Sequence, residues 1–201
     1  VNNQAADVVL GQPNFTSATV NQGGINTATS LNVPQGVQII NGDLWVVDTN
    51  NNRILKYSGI PTVSGTAASF VLGQDHMDAN FNSFSKGVDG LNFNRPIYSE
   101  IIGNRLFVTN SIQNRILIYN SWPANSSTQP DLVLGQTDFI SEYANRGLPS
   151  PTASTLSSPG ATLSVAGKFF IADASNSRIH GYNSVPTTST ASADYVLGQP
   201  N

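Results

Sequence analysis

Asp48 and Arg53 stand five positions apart, and the spacing returns as Asp173 with Arg178 and, with an amide replacing the acid, as Asn110 with Arg115. A carboxylate and a guanidinium so placed can hold a ligand or a metal, or they can close a turn. Asp and Asn cap turns through side chain to backbone bonds, and Arg forks onto a carboxylate or onto carbonyls. Asn110 favours the turn, because a neutral amide still caps one. The run Asp48-Thr49-Asn50-Asn51-Asn52 loosely resembles an oxygen-rich calcium loop, but lacks the bidentate Glu and the Gly that such loops use.

Other chemistry-bearing residues are sparse. His76 and His180 are the two histidines; His180 fills a position held by Leu55 and Leu117 in phase with it, and neither has a ligand-type partner nearby in sequence. Gln38 and Glu100, with Leu163 third in the set, are the residues that could converge on a channel. One carboxylate in three is thin for a calcium-dependent hydrolase. No G-x-S-x-G, H-E-x-x-H or phosphate-loop pattern occurs. With no cysteine, disulfides and thiolate metal sites are excluded. No catalytic residue, cofactor or metal ligand is assigned, calcium being the only cation weighed.

What positions these residues is a repeat. Val-Leu-Gly-Gln occurs at residues 9–12, 71–74, 133–136 and 196–199, and the intervals superpose with shifts of 62 and then 62–63 residues. Pro34 maps onto Pro96 and Pro159, Arg53-Ile54 onto Arg115-Ile116 and Arg178-Ile179, and Tyr57 onto Tyr119 and Tyr182. Each unit reads as four short strands: Val37–Ile40, a turn at Asn41-Gly42, Leu44–Val47, the Asp48–Asn52 turn, Ile54–Tyr57, and Phe70–Leu72. Three four-stranded units in tandem read as β-propeller blades. The expected layout is all-β: an orphan outer strand at 7–12, blades at 33–74, 95–136 and 158–199, and long loops at 13–32, 75–94 and 137–157. Three blades are too few to close a ring, so the chain is expected to form half of a six-bladed one.

In the repeated tetrapeptide, Val-Leu should be buried between blades. Its Gly should take a bulge or positive φ. Gln12, Gln74 and Gln136 should tie down the following loop, or, if the repeat is lectin-like, offer a ligand amide. Phe15, Met77 and Phe139, three residues past each Gln, are expected to plug the loops. Tyr57, Tyr119 and Tyr182 should lie between blades with hydroxyls paired. Trp45, in phase with Phe107 and Phe170, belongs to the core or, if at a surface, is a ligand-stacking candidate.

Composition bounds the rest. Charged residues make up 10% of the 201, with a net charge of −3, and Asn, Ser, Thr and Gln supply the polar surface. That gives no electrostatic footprint for nucleic acid, and no apolar run approaches a membrane span. Val1-Asn2-Asn3-Gln4 is no signal peptide, and a start without Met reads as a processed or truncated chain. Low Lys, no Cys and abundant Asn, Ser and Thr suit a secreted or surface-exposed bacterial protein.

The stretch Leu44 to Tyr57, "LWVVDTNNNRILKY", resembles the NHL repeat, with its hydrophobic strand, Asp, Asn-rich turn and Asn-Arg-Ile; Pro34 with Gly36 just beyond it also fits. The second copy departs at Asn110 and the third at Ser177. The resemblance implies propeller blades, and among functions it spans protein interaction, RNA binding, an amidating lyase and relatives of lactonases. The leading expectation is a non-catalytic extracellular scaffold binding a protein or glycan. The alternatives are a self-assembling structural subunit, with a second copy closing the ring or adding head to tail, and a calcium-dependent hydrolase; acidity disfavours RNA.

Overall fold

The structure is a computed structural model that describes residues 4–80 and 87–200; Val1–Asn3 and part of the loop at 75–94 lie outside the described residues. Twelve strands make three four-stranded antiparallel sheets, each a simple meander. The first holds β1 (Pro34–Ile40), β2 (Asp43–Asp48), β3 (Arg53–Tyr57) and β4 (Phe70–Leu72). The second holds β5 (Pro96–Ile102), β6 (Arg105–Asn110), β7 (Arg115–Tyr119) and β8 (Leu132–Leu134). The third holds β9 (Pro159–Val165), β10 (Lys168–Asp173), β11 (Arg178–Tyr182) and β12 (Tyr195–Leu197). The sheets are propeller-like blades. The first strands β1, β5 and β9 approach one another in turn, so they are the innermost.

The sequence explains the meander. Asn41 and Gly42 both take positive φ, 50° and 85°, as a two-residue hairpin with right-handed strand twist requires. The register then pairs Ile39 with Leu44 and Val46 with Leu55 across the sheet. Side chains alternate between two faces, and both faces of the middle strands are apolar because each blade is packed on both sides. Trp45, Val47, Ile54 and Leu72 on one face of blade one meet Leu106, Val108, Leu117, Tyr119 and Val133 of blade two. Phe107, Ile116, Ile118 and Leu134 on the other face of blade two meet Phe169, Ile171 and Tyr182 of blade three. A third cluster, of Leu31, Val46, Leu55, Tyr57 and Val71, covers the outer flank of blade one, with Leu10 packed against it.

Two expectations need correction here. The rings of Tyr119 and Tyr182 are buried between blades as expected, but that of Tyr57 is buried on the outer flank of blade one, and the hydroxyls of Tyr57 and Tyr119 have no hydrogen-bond partner. Burial pushes the Tyr57 hydroxyl up to about 12, so it stays protonated. The segment at 7–12 is not a strand: Gly11 makes a single parallel bridge to Ser30, because no inner strand stands beside it to complete a ladder. It is nevertheless seated like its later copies. Val9 N–H donates to Ser64 Oγ at 3.1 Å just as Val133 N–H donates to Ser189 Oγ at 3.0 Å.

Candidate functional site

The Asp–Arg spacing builds one device three times. In blade one, Asp48 ends β2 and Arg53 opens β3, and the short turn between them brings Arg53 Nε to Asp48 Oδ2 at 2.7 Å, with both side chains fully buried. Asp48 Oδ2 also accepts Asn51 Nδ2 at 2.8 Å, and Oδ1 accepts the backbone N–H of Asn32 at 2.7 Å. Burial pushes the Asp48 carboxyl up, against the pull of the Arg53 charge. The rest of the guanidinium leaves the turn. It donates to the carbonyls of Thr27 (2.8 Å) and Ser30 (3.0 Å) in the loop before the blade, and to that of Met77 in the loop after it. One buried arginine thus staples two successive long loops.

Blade three repeats this: Arg178 Nε meets Asp173 Oδ2 at 2.8 Å, and NH2 reaches the carbonyls of Thr152 and Thr155. Blade two keeps the staple without the acid. Arg115 donates to the carbonyls of Asp89, Asn92 and Phe139, while Asn110 Nδ2 and Arg115 NH2 both donate to Gln113 Oε1. Arg115 Nε, which in the other blades meets the acid, is buried without a partner. Burial lowers this guanidinium to about 10. Gln113 falls in phase with Asn51 and Asn176, so position three of the turn is a working member that the Asp–Arg spacing alone conceals.

The residue before each Arg has a separate task. Asn52 and Asn114 take left-handed φ near 53° and 52°, a region Asn tolerates. Asn52 Oδ1 accepts the N–H of Arg95 at 2.8 Å and Asn114 Oδ1 that of Ser158 at 2.7 Å, clipping each blade to the start of the next. The tetrapeptide glutamines serve the loops and turns: Gln12 Nε2 donates to Thr19 O, Gln74 to Asn52 O, and Gln136 to Asn114 O and Tyr143 O. The preceding glycines take φ of 83° to 92°; at Gly73 a Cβ would lie 2.2 Å from Phe93. Met77 and Phe139 pack against their blades' cores, whereas Phe15 is 57% exposed.

Gln38 and Glu100 lie on the inner strands and also act as clips. Gln38 Nε2 donates to Ser99 O, and Glu100 Oε1 accepts Ser164 N–H at 2.9 Å. Both border a cleft of about 510 Å³ with Asn41, Tyr98 and Trp122. Burial, helped by the Glu100 charge, raises the Tyr98 hydroxyl. Sequence reading missed Tyr98 and Trp122; only their place beside the inner strands marks them. Trp45 is buried between blades one and two, edge-on to Phe70 at 5.8 Å between ring centroids.

The histidines stand apart. His76 does have a partner close in sequence, Asp78, against its Nδ1 in an exposed loop. His180 is buried, 3.8 Å from Asp173 Oδ2, with neither ring nitrogen hydrogen-bonded. Burial and then the Arg178 charge lower it to about 4. Among the described residues no three His, Asp or Glu side chains come together as a metal site would require.

No curated protein matches the chain. The family model for the NHL repeat matches residues 31–57, which run through β1, β2, the Asp48–Arg53 turn and β3. Two further four-stranded sheets repeat that strand plan in phase, an arrangement consistent with a propeller-like array of such repeats.

Proposed function

We propose that the chain is a non-catalytic interaction scaffold, secreted or displayed at a cell surface, that engages a protein or glycan through the loops at 13–32 and 137–157. The carrying observation is the arginine staple. Loops of this length are ordinarily mobile, but here buried guanidinium groups fix them, and Asn26 Nδ2 ties the first of them to the neighbouring loop at 75–94 through Ala79 O, 2.6 Å. On this fixed backbone large apolar side chains face solvent: Val20 and Ile25 in one loop, Ile140, Tyr143 and Leu148 in the other. Exposed aromatic and aliphatic groups on a preordered backbone suit recognition, since little ordering entropy remains to be lost on binding. The residues whose types suggest chemistry are occupied elsewhere, in turns and clips.

An array of glycans and proteins probed with the native chain tests this reading. Retention that is lost in a Tyr143→Ser, Ile140→Ser variant of unchanged stability is the expected result. Retention by neither, or equal retention by both, overturns it.

A further inference from the structure

Blades one and two are neighbours inside the chain, and the cleft of about 510 Å³ beside their inner strands gathers three departures from the repeat. Tyr98 takes a place held by Gly36 in blade one and by Ala161 in blade three. Glu100 takes that of Gln38 and Leu163, and Trp122 that of Ile60 and Val185. The other two blades form without a phenol, a carboxylate or an indole at these positions, so the fold does not call for them. All three line this one cleft.

The cleft is rich in oxygen acceptors and carries no basic group. Among the described residues on its wall, Glu100 is the one charged side chain. Its Oε1 accepts Ser164 N–H at 2.9 Å, but Oε2 is shielded from solvent without a hydrogen-bond partner. Arg105, two residues past Gly103, turns elsewhere, to Asn120 Oδ1 at 2.9 Å and Pro186 O at 2.8 Å. The Tyr98 hydroxyl is raised by burial and then by the charge of Glu100. The side-chain oxygens of Gln38 and Asn41 accept no hydrogen bond among the described residues. Ile40 and Ile101 give the cleft an apolar floor, and Trp122 packs on the same core.

We propose that this cleft binds a primary ammonium group on an alkyl stem, the end of a lysine side chain or of a free aliphatic diamine, with Glu100 as its counter-charge. A carboxylate shielded from water is weakly screened, so a cation gains more from it than from an exposed acid. Tyr98, Gln38 and Asn41 offer oxygens to the three N–H donors of an ammonium. The rings of Tyr98 and Trp122 attract the cation, and Ile40 and Ile101 cover its stem. A guanidinium fits less well, because its planar fork seeks two open carboxylate oxygens and Oε1 is engaged by Ser164. A neutral sugar could use the amides and rings but would leave the Glu100 charge uncompensated. The stapled loops take no part. β2 runs from the hairpin turn at the cleft to the Asp48 turn at the loops, so the two sites lie at opposite ends of that strand.

Titration of the native chain with the diamine cadaverine, read by calorimetry and by amide and indole NMR shifts, tests the proposal. Pentanediol is the neutral counterpart, and a blocked peptide with one central lysine is the second ammonium source. Saturable shifts at Asn41, Gly103 and the Trp122 indole are expected with both amines and not with the diol. Glu100→Gln should weaken binding at least about tenfold, as loss of a charged partner does, and Tyr98→Ala should weaken it as well. Each variant carries the residue already found in phase, Gln38 or Ala161, so the blade should still form. Tighter binding of the peptide assigns the ammonium to a protein side chain, and tighter binding of cadaverine to a free polyamine; either supports the site. No saturable shifts at those residues, an equal response to the diol, or undiminished binding in either variant overturns the proposal.

Discussion

Replacing Asp48 by Asn gives blade one the residue that blade two already carries, and the outcome separates a structural staple from a spare charge. The substitution keeps an acceptor for the Asn32 N–H but removes Oδ2 as acceptor for two buried donors, Arg53 Nε and Asn51 Nδ2. Hydrogen bonds to a charged group contribute about 1.5–3 kcal/mol each, and leaving one member of a buried ion pair alone costs about 3–5 kcal/mol. Against this stands the relief of no longer burying the carboxylate, whose pKa is raised by that burial. The net loss should be about 3 kcal/mol. Blade two shows the remedy, since Gln113 Oε1 accepts both from the amide at 110 and from Arg115. Asp48→Asn with Asn51→Gln should therefore regain roughly half of the loss, about 1.5 kcal/mol. Urea unfolding followed by the fluorescence of Trp45 and Trp122, with the denaturant slope unchanged, reads both numbers. A loss under about 1 kcal/mol for Asp48→Asn, or no recovery in the double variant, would refute the reasoning.

Three further outcomes follow from packing and charge. His180 titrates at about 4 in the fold against 6.5 when exposed, so between those values only the unfolded chain binds the proton; stability should fall by about 3 kcal/mol as pH drops through that window. His180→Leu should abolish that component in pH-dependent unfolding, while the raised Asp48 carboxyl, acting in the opposite sense, remains in both proteins. Gly73→Ala should destabilise far more than Gly42→Ala, because both take positive φ but only at 73 does the new Cβ strike a buried ring, Phe93; comparable melting shifts would contradict this. Trp45→Ala should cost about 3–5 kcal/mol, the range for a buried aromatic, and a loss under about 1 kcal/mol would place that ring at a surface.

The blades were legible because their signals are local. Asn41-Gly42, the alternation through Leu44–Val47 and the phase of the tetrapeptide all act within a few residues, and the strands fall where those signals place them. The Asp–Arg turn was legible for the same reason. What the guanidinium does beyond the turn was not, since it reaches carbonyls 23 to 26 residues away that no side-chain pattern marks. Gln113 was visible in phase with Asn51 and Asn176, and the His76–Asp78 contact spans two residues, yet both escaped notice because neither alters the repeat. The buried tyrosine hydroxyls ran against a sound rule: the rings fill apolar layers, between blades for Tyr119 and on the outer flank of blade one for Tyr57, and neither hydroxyl has a partner there. Phe15 was grouped with Met77 and Phe139 by spacing alone, but its ring is exposed where theirs pack against a core.

The central claim is that buried arginines hold the long loops as a preformed face. Amide hydrogen exchange of the native chain tests it most directly, read at Asn21 and Asn145, whose N–H groups donate to Leu31 O at 3.2 Å and Leu156 O at 2.9 Å across the loops, and at Asn32 and Ser157, which donate to the buried Asp48 and Asp173. These amides should exchange as slowly as the edges of the sheets. Exchange at the rate of an unstructured chain, with β2 and β3 still protected, would contradict the account.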